Sequence, residues 1–342
     1  MSWHGIEGHD RIVEQFRRAL QRGRLATTFL FAGPEGVGKR TFAIKFAQAL
    51  LCSQRAEEAL DPCEKCPACQ QVAAGTHPDL DFVSKPPDKT QFPVSLLIGD
   101  EDHRMREGLC YRIGLKPFMG QRKVAVIDDA DFLNDASANC LLKTLEEPPP
   151  RSVLILLTTS PAKQLPTIRS RCQLMRFLPL PEATVARLLV AQGIESETAA
   201  RVARFSGGSV ARGLAMAADD LLTFRQRLET MLALDRFDSR LLATEVASYV
   251  DEAGKEVQAR RVRLRQVLEF ALHYFRRQLR RATEGEPGPG RSPALNDADL
   301  PARCVERCLA AIEHTHRNAY QAAMIECWAD DLAKIALGEP VG

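Results

Sequence analysis

No apolar run in this sequence approaches the roughly 18 residues that a membrane-spanning helix needs. The longest aliphatic stretch is Val153-Leu154-Ile155-Leu156-Leu157, so a membrane span is excluded and no membrane partner is expected. The N-terminus, Met1-Ser2-Trp3-His4-Gly5-Ile6-Glu7, lacks the basic start and apolar core of a secretory signal, which predicts a cytoplasmic protein without structural disulfides. Net charge is lacking too: 46 Lys and Arg against 44 Asp and Glu leave +2, so global charge points to no partner. Internal repeats are absent, and the only low-complexity stretch is a Gly- and Pro-rich connector over 283–290. What is there is ordinary globular composition, 45% hydrophobic and 26% charged, over 342 residues, a length that fits two or three domains. Ten cysteines need an explanation other than disulfides, and four of them fall within 52–69.

Short apolar runs with polar or turn boundaries read as buried parallel strands at 28–32, 124–127 and 153–157. Helical stretches lie between them at about 40–51, with Phe42, Ala43, Phe46, Ala47 and Leu50 on one face, and at 136–147, stopped by Pro148-Pro149-Pro150. This alternation, lasting to about Pro181, predicts a doubly wound α/β domain with its ligand crevice at the carboxyl ends of the strands. Beyond it the strand signal vanishes. Helices are expected at 184–191, 197–205 and 221–234, then over 258–281, and in a final block at 301–337. The stretch 255–281 carries nine Lys or Arg against Glu256 and Glu269. It reads as a solvated helix face or a nucleic-acid site, with Phe270, Tyr274 and Phe275 on the apolar side.

The strand at 28–32 runs directly into Gly33-Pro34-Glu35-Gly36-Val37-Gly38-Lys39-Arg40-Thr41 and then a helix, the setting of a phosphate-binding loop. Gly33, Gly36 and Gly38 let the backbone close around phosphate oxygens, and Lys39 would reach the terminal phosphates. The next residue should be Ser or Thr, whose hydroxyl holds Mg²⁺, and here it is Arg40. Thr41 is no simple substitute, because one step along a helix points about 100° away. The strand at 124–127 ends in Asp128 and Asp129, as a Walker B strand should end in carboxylates. Asp128 would bind Mg²⁺, but Asp129 is one methylene shorter than the Glu that polarises the attacking water, and about 1 Å of misplacement costs rate steeply. Both departures weaken hydrolysis of ATP with Mg²⁺ at this site.

Cys52, Cys63, Cys66 and Cys69 follow the phosphate-loop helix. Four thiolates so close in a cytoplasmic chain read as a closed tetrahedral Zn²⁺ site, structural because no coordination position is left for water. An iron–sulfur cluster accepts the same four ligands. Cys110, Cys140, Cys172, Cys304, Cys308 and Cys327 read as small core residues, with a second metal site near Cys304, Cys308, His314 and His316 as the lesser alternative.

Gly23-Arg24-Leu25, the loop from Gly33 to Lys39, the four cysteines, Asp128-Asp129-Ala130-Asp131 and the run from Asn139 to Pro149 together resemble the bacterial clamp-loader AAA+ proteins. Thr158-Thr159-Ser160-Pro161 is similar to the family's sensor 1, Ser170-Arg171-Cys172 to its arginine-finger motif, and Gly208 to Arg212 to its sensor 2 region; the motifs recur in family order over about 5–214. The resemblance implies an AAA+ domain at 1–180 with a zinc module at 52–75, a small helical lid domain at 181–240 and an all-α collar domain for oligomerisation at 241–342. It implies sensor roles for Thr158, Thr159 and Arg212, and an arginine finger at Arg171 that reaches a neighbour's ATP site. Two branches of the family share the cysteine insertion: the ATP-hydrolysing gamma/tau branch and the delta-prime branch, which looks like a rigid stator. Arg40, Asp129 and a chain ending at Gly342 without a tau-type extension favour the second. Expected partners are gamma/tau and delta subunits and, through the assembly, the sliding clamp and primer-template DNA of the DNA polymerase III holoenzyme. The alternatives are a gamma/tau-type motor subunit, told apart by turnover; a nucleotide kinase; and a zinc-dependent nucleic-acid binder, for which only Lys65 and Arg55 near the cysteines are basic.

Overall fold

A computed structural model describes residues 3–104, 106–218, 221–233, 238–254, 256–284, 298–316 and 320–339, the side chains of 218, 222 and 316 excepted. The connector over 285–293, Leu234 and Lys255 lie outside the described residues. The chain divides into two compact units, Met1–Ala217 and Ala218–Gly342.

The first unit is built on five strands, β1 (Thr28–Ala32), β2 (Leu80–Val83), β3 (Lys123–Ile127), β4 (Ser152–Thr158) and β5 (Gln173–Arg176), in the order β2-β3-β4-β1-β5. All four pairings are parallel. β1, β3 and β4 are buried along their whole length, which explains their unbroken apolar sequences. Successive side chains of β1 enter different cores: Phe29 and Phe31 pack with α1 (Asp10–Gln21) and α2 (Lys39–Leu51) through Phe16, Phe42 and Phe46, whereas Leu30 joins the core containing Leu141 and Leu145. That second face is covered by α4 (Ser95–Ile98), α5 (Leu109–Gly114), α6 (Asp135–Glu146) and α7 (Pro166–Arg169), while α3 (Pro67–Ala74) belongs to the cysteine insertion after α2. The sheet is therefore doubly wound, as the alternation predicts. Three short helices follow: α8 (Glu182–Ala191), α9 (Ser196–Ala203) and α10 (Val210–Ala218).

Among its described residues the second unit is all helix: α11 (Leu221–Leu232), α12 (Ser239–Asp251), α13 (Val257–Glu284), α14 (Asp299–His316) and α15 (Gln321–Ala336). The expected single block at 301–337 is two helices. In α13, Phe270, Tyr274 and Phe275 are buried, as their place on the apolar side predicts, and Leu264 and Leu268 are buried with them, while Val262 is 45% exposed. Part of the basic face is paired within the fold, Arg260 with Asp251 at 3.3 Å and Arg277 with Glu229 at 2.7 Å. Among the described residues no helix is long and apolar enough to cross a membrane.

Candidate nucleotide site and metal centre

β1 delivers the glycine loop to the carboxyl edge of the sheet, and α2 starts at Lys39. Gly33 passes so close to Phe177 that any Cβ would overlap its carbonyl oxygen. Gly36, at φ +72°, lies against Ser209 and Ala211 at the start of α10, and its carbonyl accepts a 3.0 Å hydrogen bond from Val210 N–H. The segment carrying Arg212 is thus packed onto the loop; Arg212 is half-buried and its N–H bonds Ser209 Oγ at 3.1 Å. Lys39 Nζ donates to the carbonyls of Gly33 (2.6 Å) and Pro34 (2.8 Å). Burial pushes its ammonium down from the usual lysine range, against the opposing pull of Asp131, Asp128 and Glu35. His9 shares this corner: its buried ring meets Phe177 edge-on, and Nε2 stands 2.8 Å from the Val37 carbonyl, to which it donates in the neutral form. Burial holds that imidazole below its ordinary value. Its place before an amphipathic helix was the only sequence signal for it.

Asp128 follows β3, with its N–H bonded to Val83 O at 2.8 Å. Its Oδ2 is 3.5 Å from Arg40 Nη1, and the Arg40 guanidinium lies 4.6 Å from the centre of the Phe82 ring. Thr41 is exposed. Asp129 has φ +56°, and burial together with Asp128 pushes its carboxyl up despite Lys85. Thr158 and Thr159 both point to one carboxylate, Asp131. Asp131 accepts from Thr159 N–H at 3.0 Å, from Thr159 Oγ1 at 2.5 Å and from Thr158 Oγ1, and Lys163 Nζ stands 3.5 Å away. This clasp joins the end of β4 to the loop after β3 and occupies both threonine hydroxyls.

Arg171 lies at the opposite end of β1, where Thr28 Oγ1 donates to its carbonyl at 2.6 Å. Its guanidinium pairs with Glu146 at 2.7 Å and donates to Thr167 O at 3.0 Å, with the pair only partly covered. Arg171 and the glycine loop are therefore at different edges of the sheet.

The four cysteines converge. Their Sγ atoms lie within 4.8 Å of one another, and among the described residues they are the only such group of three or more potential metal ligands. Cys52 caps the end of α2, Cys63 is in the following loop, Cys66 is the N-cap of α3 and Cys69 lies in its first turn. Cys52 to Cys66 and Cys63 to Cys69 are each 4.0 Å. A tetrahedron with Zn–S bonds of about 2.3 Å has edges of about 3.8 Å, so the set fits one Zn²⁺. Burial pushes the Cys69 thiol up; at Cys66 burial is outweighed by hydrogen bonds from Ser53 and the Cys69 N–H, which bring it down to about 6. The insertion is also clasped from the N-terminus: Trp3 Nε1 donates to Leu60 O at 2.8 Å, and His4 stands between Asp61 (2.6 Å) and Glu64 (3.0 Å). The 13 residues of α2 separate the cysteines from the glycine loop. At 1.5 Å per residue that is about 20 Å, too far for a metal here to touch a bound phosphate. Of the other cysteines, Cys304 and Cys308 are buried, but Cys327 is exposed and is no core residue.

A sequence profile of the family described as "DNA polymerase III, delta subunit" matches residues 8–181. The chain is 37% identical to the DNA polymerase III subunit delta' of Pseudomonas aeruginosa over 191 residues, covering 55% of each protein. It is 34% identical to the delta' subunit of Escherichia coli over 221 residues, 64% of this chain and 63% of that one. The gamma/tau subunit of Mycobacterium tuberculosis is 31% identical over 241 residues, 66% of this chain and 39% of the relative. The chain thus spans less than two thirds of the length of these relatives, and the profile match over 8–181 includes the loop, the carboxylates and the cysteines. The chain belongs to the delta-prime and gamma/tau family of bacterial DNA polymerase III clamp-loader subunits.

Proposed function

We propose that this chain is a delta-prime-like stator of the replicative clamp loader, assembled with gamma/tau and delta subunits, that presents Arg171 to the ATP site of a neighbouring gamma/tau subunit and helps place the sliding clamp on primed DNA. The observation that carries the reading is the Arg40–Asp128 pair at 3.5 Å: a guanidinium stands on the carboxylate that would hold Mg²⁺. Asp129 is one methylene shorter than the Glu that polarises the attacking water, and that misplacement makes it a poor water-polarising base. A subunit whose own site is so altered acts on ATP through what it offers a neighbour.

Arg171 is suited to that role. Its present partner, Glu146, is about half exposed, and exposed ion pairs contribute about 0–1 kcal/mol, so releasing the guanidinium costs little. An arginine finger that raises a rate 10³-fold or more stabilises the transition state by about 4 kcal/mol, which outweighs that cost. The Cys52, Cys63, Cys66, Cys69 centre is proposed to hold a structural Zn²⁺, and 181–240 and 241–342 to serve as lid and collar. The reading is tested by co-expressing the tagged chain with gamma/tau and delta. A stoichiometric complex that survives gel filtration is the expected result; failure to assemble refutes it. The gamma/tau-type motor alternative requires steady ATP turnover by the isolated chain, which Arg40 and Asp129 oppose.

A further inference from the structure

We propose that the phosphate loop of this chain binds a nucleoside di- or triphosphate without a divalent cation, with Arg40 supplying in cis the positive charge that a metal ion supplies in a hydrolytic loop. The proposal goes beyond the arginine-finger reading and does not depend on it.

The parts that embrace a phosphate chain are intact. Gly36 and Gly38 take the left-handed conformations, φ +72° and +99°, that let the loop turn, and α2 begins directly after them. Lys39 Nζ rests on the carbonyls of Gly33 and Pro34 at the mouth of the loop. Those are neutral acceptors, and a phosphate oxygen competes with them as a charged one, with bonds about twice as strong.

What differs is the metal position. Arg40, in the first turn of α2, has a largely exposed side chain that leans on Asp128 at 3.5 Å and over the face of Phe82 at 4.6 Å. A divalent ion at Asp128 would have to displace this guanidinium and then share the space with its charge. The guanidinium has five donors in a planar fork, of which the Asp128 pair uses at most two, and the fork matches phosphate oxygens. Lys39 at the loop mouth and Arg40 beside Asp128 point to different places, so together they would engage separate phosphate oxygens, which favours a ligand with at least two adjacent phosphates over a monophosphate. Glu35, Asp128, Asp129 and Asp131 surround the same corner, and they make a bare trianionic or tetraanionic ligand unwelcome unless both cations engage it.

The test is calorimetric titration of the full chain with ADP and with ATP, once in excess EDTA and once in Mg²⁺. Saturable binding in EDTA, not improved by Mg²⁺, is expected. Arg40→Ser should weaken binding in EDTA about 10-fold, the loss of a charge-assisted contact, and Mg²⁺ should restore it by using the new hydroxyl and the freed Asp128. Arg40→Lys, which keeps the charge and loses the fork, should bind between the two; melting curves establish that each variant is folded. Wild-type binding that requires Mg²⁺, no binding in either buffer, or Arg40→Ser binding in EDTA as well as wild type would each overturn the proposal. The finger role is read from assembly and stimulated ATP hydrolysis of the complex and this proposal from binding to the chain alone, so failure of one and failure of the other are told apart.

Discussion

Replacing Cys66 by serine isolates the contribution of a metal to this fold. Cys66 has two jobs: it is one of four converging sulfurs, and its Sγ accepts the Cys69 N–H at 3.4 Å as the N-cap of α3. Serine is among the best N-cap residues, so Cys66→Ser keeps the second job and removes the first. A site filled at about 1,000 times its dissociation constant stabilises the folded state by about 4 kcal/mol. The unit that contains it, Met1–Ala217, is in the size range where 1 kcal/mol moves Tm by about 2–4 °C, so the variant should melt about 10 °C lower. It should still fold, because Trp3 and His4 clasp the insertion independently of the sulfurs. Elemental analysis should find one zinc per wild-type chain and none in the variant. Hydrogen exchange should show the loss of protection concentrated over 52–75, with β1, β3 and β4 unchanged. Wild-type protein that carries iron or no metal, or a variant that keeps both its zinc and its Tm, would refute the reasoning.

Three further outcomes follow from the same geometry. The isolated chain with Mg²⁺ and ATP should release phosphate far more slowly than the ordinary enzyme range of about 1 per second and above; steady-state phosphate release checks this. His9 is held below the imidazole's ordinary 6.5 by burial, so the unfolded chain protonates first as pH falls; the stability due to neutral His9 is whole above about pH 6.5 and is lost progressively below it. Thermal melts between about pH 8 and about pH 5.5 should decline less steeply in His9→Gln than in wild type, and parallel declines would count against this. Asp131→Ala leaves the Thr159 N–H and the Thr159 hydroxyl without their acceptor, while the Thr158 hydroxyl keeps the Ser160 carbonyl, and should cost about 2–3 kcal/mol in urea denaturation, with Asp131→Asn costing less.

The central strands were legible because burial on both faces writes itself as unbroken aliphatic sequence. Edge strands were not. β5, Gln173–Arg176, has one buried residue of four, and β2 contains Asp81, which pairs with Arg112, so neither forms the apolar run that marks a central strand. α1 was readable and missed: Ile12, Val13, Phe16 and Leu20 recur at helical spacing and are all buried. The cysteine centre was legible from spacing alone, since ligands from a helix end and the following turns are forced close together. The partners of Arg40 and Asp131 were not, because Phe82, Asp128 and the two threonines come from strands distant in sequence. Sequence could show that the metal hydroxyl is missing; only the fold puts a guanidinium on the carboxylate it would have served.

The central claim is that Arg171 acts on a neighbour's ATP. Clamp loader reconstituted with Arg171→Ala protein should assemble like wild type by gel filtration and lose part of its clamp- and DNA-stimulated ATP hydrolysis, since only one of several ATP sites is deprived of its finger. Arg171→Lys should rescue poorly, because an ammonium keeps the charge without the fork. Equal stimulated ATPase from wild-type and Arg171→Ala complexes at equal assembly would contradict the account and leave Arg171 as a structural partner of Glu146.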